Sequence, residues 1–265
     1  MRILLTNDDG IYATGIAAIN KTLREIGDVV TVAPEAEQSG TGHSITWAHP
    51  LRYRKVYAKN KFFGYAISGS PADCVKLGVM GIMKELPDLV VSGINLGANV
   101  GIHVLYSGTV ASAIEGAILG IPSVAVSVDV SGYTDLEYAA VVARDIIKEI
   151  MKNKLPKCTL INVNIPSLRR EEIKGIRFTR QCTHGFEESV DERKDPGGRT
   201  YYWLVGGMEV AVEEEGTDIQ SINDGYISIT PLRYDLTDHN LLKSISSWNW
   251  KAVEEDVCKF KGITK

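Results

Sequence analysis

Two carboxylates stand side by side in Asn7-Asp8-Asp9-Gly10, directly after the apolar run Ile3-Leu4-Leu5. An apolar run that stops abruptly in polar residues reads as a buried strand of a parallel sheet, with both acids delivered at its carboxyl end. Ligands bind at that edge of open α/β sheets. Neighbouring carboxylates repel each other and resist burial, so they call for a cation. Successive side chains of a regular strand face opposite ways, so both acids can serve one site only if the chain turns at Asp9, and Gly10 makes that turn easy. The plainer reading is a solvated turn, or carboxylates capping the next helix.

Three further segments carry groups of complementary chemistry. Gln38-Ser39-Gly40-Thr41-Gly42-His43-Ser44 offers a hydroxyl between glycines; alone it reads as an ordinary loop. Ser92-Gly93-Ile94-Asn95-Leu96-Gly97-Ala98-Asn99-Val100-Gly101 supplies amide oxygens and close backbone approach, although Asn and Gly also simply favour turns. Tyr106-Ser107-Gly108-Thr109-Val110 opens a helix with free peptide N–H groups, two hydroxyls and the positive end of the helix dipole, an arrangement that suits phosphate. N-capping by Ser107 explains it more simply in isolation. Polar loops after neighbouring parallel strands favour a shared site.

Taken together, Asp8, Asp9, Ser39 and Asn95 are oxygen ligands only, which suits Mg²⁺ or Mn²⁺ better than zinc. A cation would let a phosphate dianion approach two acids, activate a water and neutralise phosphoryl charge, while Ser107, Gly108 and Thr109 hold the other oxygens. That chemistry is a metal-dependent phosphomonoesterase, with Asp8 expected nearest the attacking water. His43 and His103 fall in these loops, but the five histidines have no ligand spacing.

The elements that must position these groups alternate. Strands are expected at 3–7, 28–34, 65–68, 88–93, 122–128 and 159–165, with helices at 13–26, 70–83, 107–119 and 135–152. Ser70, Pro71 and Asp73 form a helix start with serine at the N-cap and proline at N1. Alternation of this kind specifies an α/β fold, Rossmann-like in three layers with a mostly parallel sheet. A weak β excursion is expected within 45–57. Beyond 166 the pattern changes to strands without helices, at 176–180, 199–205, 208–212 and 226–230. Gly206-Gly207 reads as a hairpin turn, the charged stretch 191–198 as a loop, and Glu213-Glu214-Glu215 as a solvated hairpin face. Trp248 and Trp250 sit on a short polar tail, suited to packing on a partner subunit.

Composition narrows the function classes. The 265 residues are 44% hydrophobic and 23% charged with a net charge of −4, which argues against a nucleic-acid polymer or an anionic membrane as partner. A chain of this length buries roughly 75% of its unfolded surface, so no disulfide or metal staple is needed. Cys74, Cys158, Cys182 and Cys258 lie far apart without a CxxC pair, as expected for reduced thiols in a cytoplasmic protein. No signal-peptide pattern and no membrane-length apolar run is present.

With these residues assembled, the chain resembles the SurE family, the stationary-phase survival proteins. The resemblance is carried by Asn7-Asp8-Asp9-Gly10, Pro34 with Gln38-Ser39-Gly40 and Ser44-Ile45-Thr46, and Ser68-Gly69 with Pro71-Ala72-Asp73-Cys74-Val75. It continues in Ser92-Gly93-Ile94-Asn95 with Gly97 and Asn99, and in Tyr106 to Ala111 with Glu115-Gly116. It runs in order through most of residues 1–130 and is loose after 166.

The resemblance implies a Rossmann-like core and a nucleotidase that hydrolyses nucleoside 5′- and 3′-monophosphates with one divalent cation, Mg²⁺ or Mn²⁺, per subunit. It sets metal ligands on Asp8, Asp9, Ser39 and Asn95, and phosphate contacts on Asn99, Ser107, Gly108 and Thr109. It also implies a homodimer or homotetramer: a core of 1–180 continued by 218–235, an oligomerising β-hairpin at 181–217 and an exchanged C-terminal arm at 236–265. Two rivals are a phosphohydrolase of short polyphosphate or other phosphomonoesters, and a Mg²⁺-binding receiver-like signalling domain. A receiver needs an aspartate ending its third strand, where this chain offers Ser68 or Ser92.

Overall fold

A computed structural model of the chain describes residues 1–183, 186–210 and 214–260, with side chains described for all of these except 186–188, 206–210 and 258–260. The elements in order are β1 (Arg2–Thr6), α1 (Thr14–Leu23), β2 (Asp28–Pro34), β3 (Tyr53–Ala58), β4 (Lys61–Ile67), α2 (Pro71–Leu77), β5 (Leu89–Leu96), α3 (Gly108–Ile118), β6 (Ser123–Val128), α4 (Leu136–Met151) and β7 (Thr159–Ile165). They continue with β8 (Ile176–Phe178), β9 (Phe186–Lys194), β10 (Thr200–Val210), α5 (Asp218–Asn223), β11 (Ile227–Arg233), α6 (His239–Ile245) and α7 (Lys251–Phe260).

Nine strands form one sheet in the order β3-β4-β2-β1-β5-β6-β7-β11-β8. The pairs from β4 through β7 are parallel; β3 on β4 and β11 on β7 are antiparallel. The alternation of β1 shows why helices cover both faces. Ile3 and Leu5 join the apolar cluster of Ile16, Ile19 and Leu23 from α1 and Ala140, Ala143 and Ile147 from α4. Leu4, between them, joins Val75 of α2 on the opposite face. Each such fully buried side chain contributes roughly 1.5–3 kcal/mol. The chain is thus an α/β protein with a mostly parallel mixed sheet between two helical layers, and a separate two-stranded antiparallel sheet of β9 and β10.

Two features of this frame bear on the acid pair. β1 lies between β2 and β5, so the strand order reverses there and the loops after β1, β2 and β5 share one edge; this is the switch point at which open α/β sheets bind ligands. The ladder between β5 and β6 also slips between Ser92 and Asn95, around a cis peptide at Gly93–Ile94. Such a bulge re-aims the side chains beyond it. Sequence reading ends this strand at residue 93; the slip instead lets pairing resume at Asn95 and Leu96.

Other expectations shift for physical reasons. The helix expected to reach residue 83 ends its α-helical part at Leu77 and continues as a π-helical turn over Gly78–Ile82; Ser70 starts it with a full capping box. The β excursion is confined to Tyr53–Ala58, and the strand expected at 65–68 runs over Lys61–Ile67. Gly206-Gly207 is not a turn: β10 runs through it, with a register irregularity between Gly206 and Val210. The hairpin turns instead at 195–198. There the Asp195 carboxylate accepts the Arg199 peptide N–H at 2.9 Å and the Arg199 Nε–H at 2.9 Å. Its partner strand β9 includes residues read as a charged loop, because a two-stranded ribbon exposed on both faces carries no apolar alternation. Residues 211–213, including Glu213, and His184 lie outside the described residues. The short helix α5 was not foreseen between strands.

A second compact unit begins at Asp235. Expected to be a polar tail, it contains the helices α6 and α7 instead. Asp238 caps α6 by accepting the Asn240 and Leu241 N–H groups, and Trp248 stacks on Trp250 with centroids 6.1 Å apart.

α1 crosses β5 at the bulge, where a Cβ on Gly15 would overlap the Ile94 carbonyl oxygen. Gly15→Ala must therefore push α1 off the sheet beside Asn95. We expect a loss of about 3 kcal/mol by chemical denaturation; a loss below about 0.5 kcal/mol, the size of a neutral surface change, would contradict this close approach.

Candidate active site

Gly10 has φ +95°, and the Asn7 side-chain amide donates to the Gly10 carbonyl at 3.0 Å, which closes the turn after β1. Asp8 is buried and Asp9 half-buried. The Thr109 hydroxyl, itself fully buried, donates to Asp8 Oδ1. The peptide N–H groups of Gly108 and Thr109 also serve the Asp8 carboxylate. A Cβ on Gly108 would stand 2.7 Å from Asp8 Cβ and 3.0 Å from Oδ2, so only glycine lets the start of α3 come this near. The N–H groups that the sequence offers to a phosphate are therefore turned on Asp8, a carboxylate at a positive helix end.

Asp9 lies on the β5 side and takes a hydrogen bond from the Leu96 peptide N–H. Its Oδ2 is buried and has no hydrogen-bond partner among the described residues. Burial, then the charge of Asp8 and that of Glu37, raises the Asp9 pKa to about 6. Burial raises Asp8 as well, against the bonds from Thr109 and the backbone. Among the described residues no lysine, arginine or histidine counters the charge of either acid. Buried, like-charged neighbours with raised pKa values mark a site built for a counter-charge.

Asn95, one residue before Leu96, donates its amide N–H to the Gly97 carbonyl at 2.7 Å, which leaves Oδ1 as the atom that could face a cation. Ser39 is exposed and donates to Glu37 at 2.8 Å. Its neighbour Gln38 gives its peptide N–H to the Asp8 carbonyl at 2.8 Å, so the Ser39 loop is joined to the acid turn through the backbone. The donor set fits an oxygen-seeking cation: two acids, an amide oxygen and a hydroxyl, with an orphaned carboxylate oxygen among them. Among the described residues no group of three His, Cys, Asp or Glu side chains could hold a metal, so neutral oxygens would have to complete a cation's shell here.

The remaining residues divide. Ser107 is the N-cap of α3, with its oxygen accepting the Val110 N–H at 3.1 Å. Asn99 is drawn toward β6 and β7. Its amide donates to Ser127 at 2.8 Å, and its backbone is held by Asn162 and Asn164 at 2.8–3.1 Å. The structure thus joins Asp8, Gly108 and Thr109 directly, brings Asp9 to the Asn95–Leu96 peptide, and ties Asn99 to a separate buried amide network.

Sequence reading gives no role to Glu37, the second acid acting on Asp9 after Asp8, or to Glu115, a 2% exposed carboxylate. The Glu115 carboxylate accepts a hydrogen bond from His43 at 2.9 Å and is ion-paired with Lys76 at 2.6 Å. The legible signal was a lone acid among the small residues of α3.

The model of the family described as survival protein SurE matches residues 3–188. A 5′-nucleotidase SurE of Syntrophobacter fumaroxidans is 45% identical over 249 residues, covering 94% of this chain and 100% of that protein. One of Syntrophus aciditrophicus is 47% identical over 248 residues, covering 93% of each. The crystal structure of the SurE protein from Aquifex aeolicus matches with a TM-score of 0.82 at 45% identity, over 92% of this chain and 98% of that one. The motif resemblance of residues 1–130 thus extends to the loosely matching second half, and the chain belongs to the SurE family.

Proposed function

We propose that this chain is a divalent-cation-dependent phosphomonoesterase that hydrolyses nucleoside 5′- and 3′-monophosphates to nucleoside and phosphate. One observation carries the reading: Asp8, buried, and Asp9, half-buried, stand at the switch point with raised pKa values, and Asp9 Oδ2 has no hydrogen-bond partner among the described residues. The relatives' name, 5′-nucleotidase, supports the nucleotide as substrate. Asp8, Asp9, Ser39 and Asn95 would hold one Mg²⁺ or Mn²⁺, which supplies Lewis acidity and neutralises phosphoryl charge.

The protein's own part is orientation and proton handling. Thr109 fixes Asp8 through Oδ1; Oδ2 takes a proton from the attacking water. The water oxygen bonds to phosphorus as the bond from phosphorus to the nucleoside oxygen breaks; a solvent water protonates the leaving oxygen, and Asp8 returns its proton to solvent. Ser107, Gly108, Thr109 and Asn99 form the phosphate side, where the start of α3 favours negative charge. The phosphate shares the Gly108 and Thr109 N–H groups with the Asp8 carboxylate.

Assembly and location complete the proposal. Residues 1–180 and 218–235 form the catalytic core, while the hairpin at 181–217 and the arm at 236–265 join subunits into a homodimer or homotetramer. Exposed Leu236, Leu241, Leu242, Trp248, Trp250, Val253 and Val257 support the arm's role. A cytoplasmic location is supported by Cys74 and Cys158, which form no disulfide among the described residues. No helix among the described residues is long and apolar enough to cross a membrane.

Phosphate release from a panel of nucleoside monophosphates and tripolyphosphate, with and without Mn²⁺ or Mg²⁺, tests the activity. Metal-dependent release from nucleotides is expected; release from tripolyphosphate alone would overturn the substrate. Thr109→Val keeps the shape but leaves Asp8 without its hydroxyl donor, and should lower kcat by about tenfold or more with KM little changed. Thr109→Ser should restore the rate, and an unchanged kcat in the valine variant would remove Thr109 from the mechanism. Light scattering should give two or four chains per particle, and deleting residues 236–265 should lower that number; a monomeric full chain would contradict the assembly.

A further inference from the structure

Glu115 lies about two turns into α3 and is 2% exposed. A carboxylate so enclosed costs several kcal/mol unless it is paired. Burial pushes its pKa up, but the His43 and Lys76 bonds outweigh this and leave it below the ordinary range. The two partners come from different places. Lys76 belongs to α2, which packs beside α3. His43 belongs to the irregular strap 38–46 that carries Ser39 and runs across the starts of α2 and α3.

The strap is fastened at five points. At its near end Gln38 donates to the Asp8 carbonyl at 2.8 Å, and Gly42 to the Tyr106 carbonyl at 2.9 Å. At its far end the Ser70 hydroxyl donates to the Ser44 carbonyl at 2.6 Å, and the Thr46 N–H reaches the Asp73 carboxylate at 3.0–3.1 Å. Between Gln38 and Gly42 the chain arches out: Ser39, Gly40 and Thr41 are exposed, and a Cβ on Gly40 would meet nothing within 4 Å. The fifth point, His43–Glu115, is the fastening made between two side chains, and it holds the base of this arch to α3, the helix whose first residues hold Asp8.

We propose that Glu115, acting through His43, is a positioning residue that holds Ser39 over the acid pair and so sets the affinity of the site for its cation without touching the cation. This rests on the reading of Ser39 as a ligand beside Asp8 and Asp9. Groups one shell removed from a metal's ligands are worth 10- to 100-fold in affinity where they fix a ligand's position. Lys76 provides the internal control, because it neutralises the same carboxylate from α2 and has no bond to the strap among those described.

The test is Mn²⁺ titration of the full chain by calorimetry, with the thermal midpoint and kcat followed in each variant. His43→Ala should weaken Mn²⁺ binding about tenfold, while kcat at saturating Mn²⁺ returns to the wild-type value. His43→Gln, whose amide N–H can reach Glu115 as the imidazole does, should restore most of the affinity. Lys76→Met should lower the thermal midpoint and leave the Kd unchanged. A wild-type Kd in His43→Ala overturns the proposal, and so does an equal loss in Lys76→Met, since the effect would then be a general loosening of α2 on α3. Ser39→Ala separates the two levels of inference. If it weakens binding and His43→Ala does not, only the positioning role fails. If Ser39→Ala binds as wild type does, or wild type binds no Mn²⁺, the ligand reading itself falls.

Discussion

The repulsion between Asp8 and Asp9 is the constraint around which this edge of the molecule is arranged. Two adjacent acids in water would separate or hydrate. Here the end of β1 and the turn at Gly10 hold them where water is largely excluded, so both pKa values rise, that of Asp9 to about 6. In linkage terms a raised acid binds its proton more tightly folded than unfolded. The metal-free protein therefore loses stability as pH climbs from the ordinary carboxylate pKa near 3.8 through about 6. A fold that keeps such a pair needs either an offsetting interaction or a guest, and it supplies part of the first. The start of α3 and the Thr109 hydroxyl serve Asp8, whereas Asp9 keeps an oxygen without a partner.

Much of the surrounding architecture serves close approach. Gly108 admits α3 to Asp8, Gly15 admits α1 to β5, and the slip of β5 against β6 sets Asn95 beyond a bulge beside Leu96, whose N–H holds Asp9. The Ser39 strap is then drawn over this edge by backbone bonds and by the buried charge of Glu115. Catalysis of phosphate transfer depends mainly on placing charge before the reaction begins, and these packing choices place it. Membership of the SurE family and the proposed nucleotidase chemistry are consistent with one another on that ground.

The core was legible because buried parallel strands write themselves as apolar runs and their helices as periodic stripes: β2 and β7 fall on the expected residues. The acid turn and the helix start were each legible as motifs, but the sequence set them on opposite sides of a ligand, the acids on a cation and the helix start on a phosphate. What stayed hidden has physical causes. β9 and β10 make a ribbon exposed on both faces, so polar and charged residues carry it, and Gly206-Gly207 inside a strand imitates a turn. Asn95 looked like a loop residue because a bulge, invisible to periodicity, separates it from the rest of β5. Thr109 looked available to a ligand, and only the three-dimensional approach of α3 commits it to Asp8. Glu115 pairs across 72 residues of sequence, a separation no local pattern records.

The central claim, that the acid pair is a cation site, is tested most directly by counting protons. A cation takes its carboxylates deprotonated, so an acid with a pKa near 6 must give up its proton as the ion binds. Mn²⁺ titrations in buffers of different ionisation enthalpy, run across pH 5 to 8, read that proton release directly. Net release is expected at and below about pH 6, fading by pH 8, and is lost in Asp9→Asn. Binding without proton release at any pH, or release unchanged in Asp9→Asn, would contradict it.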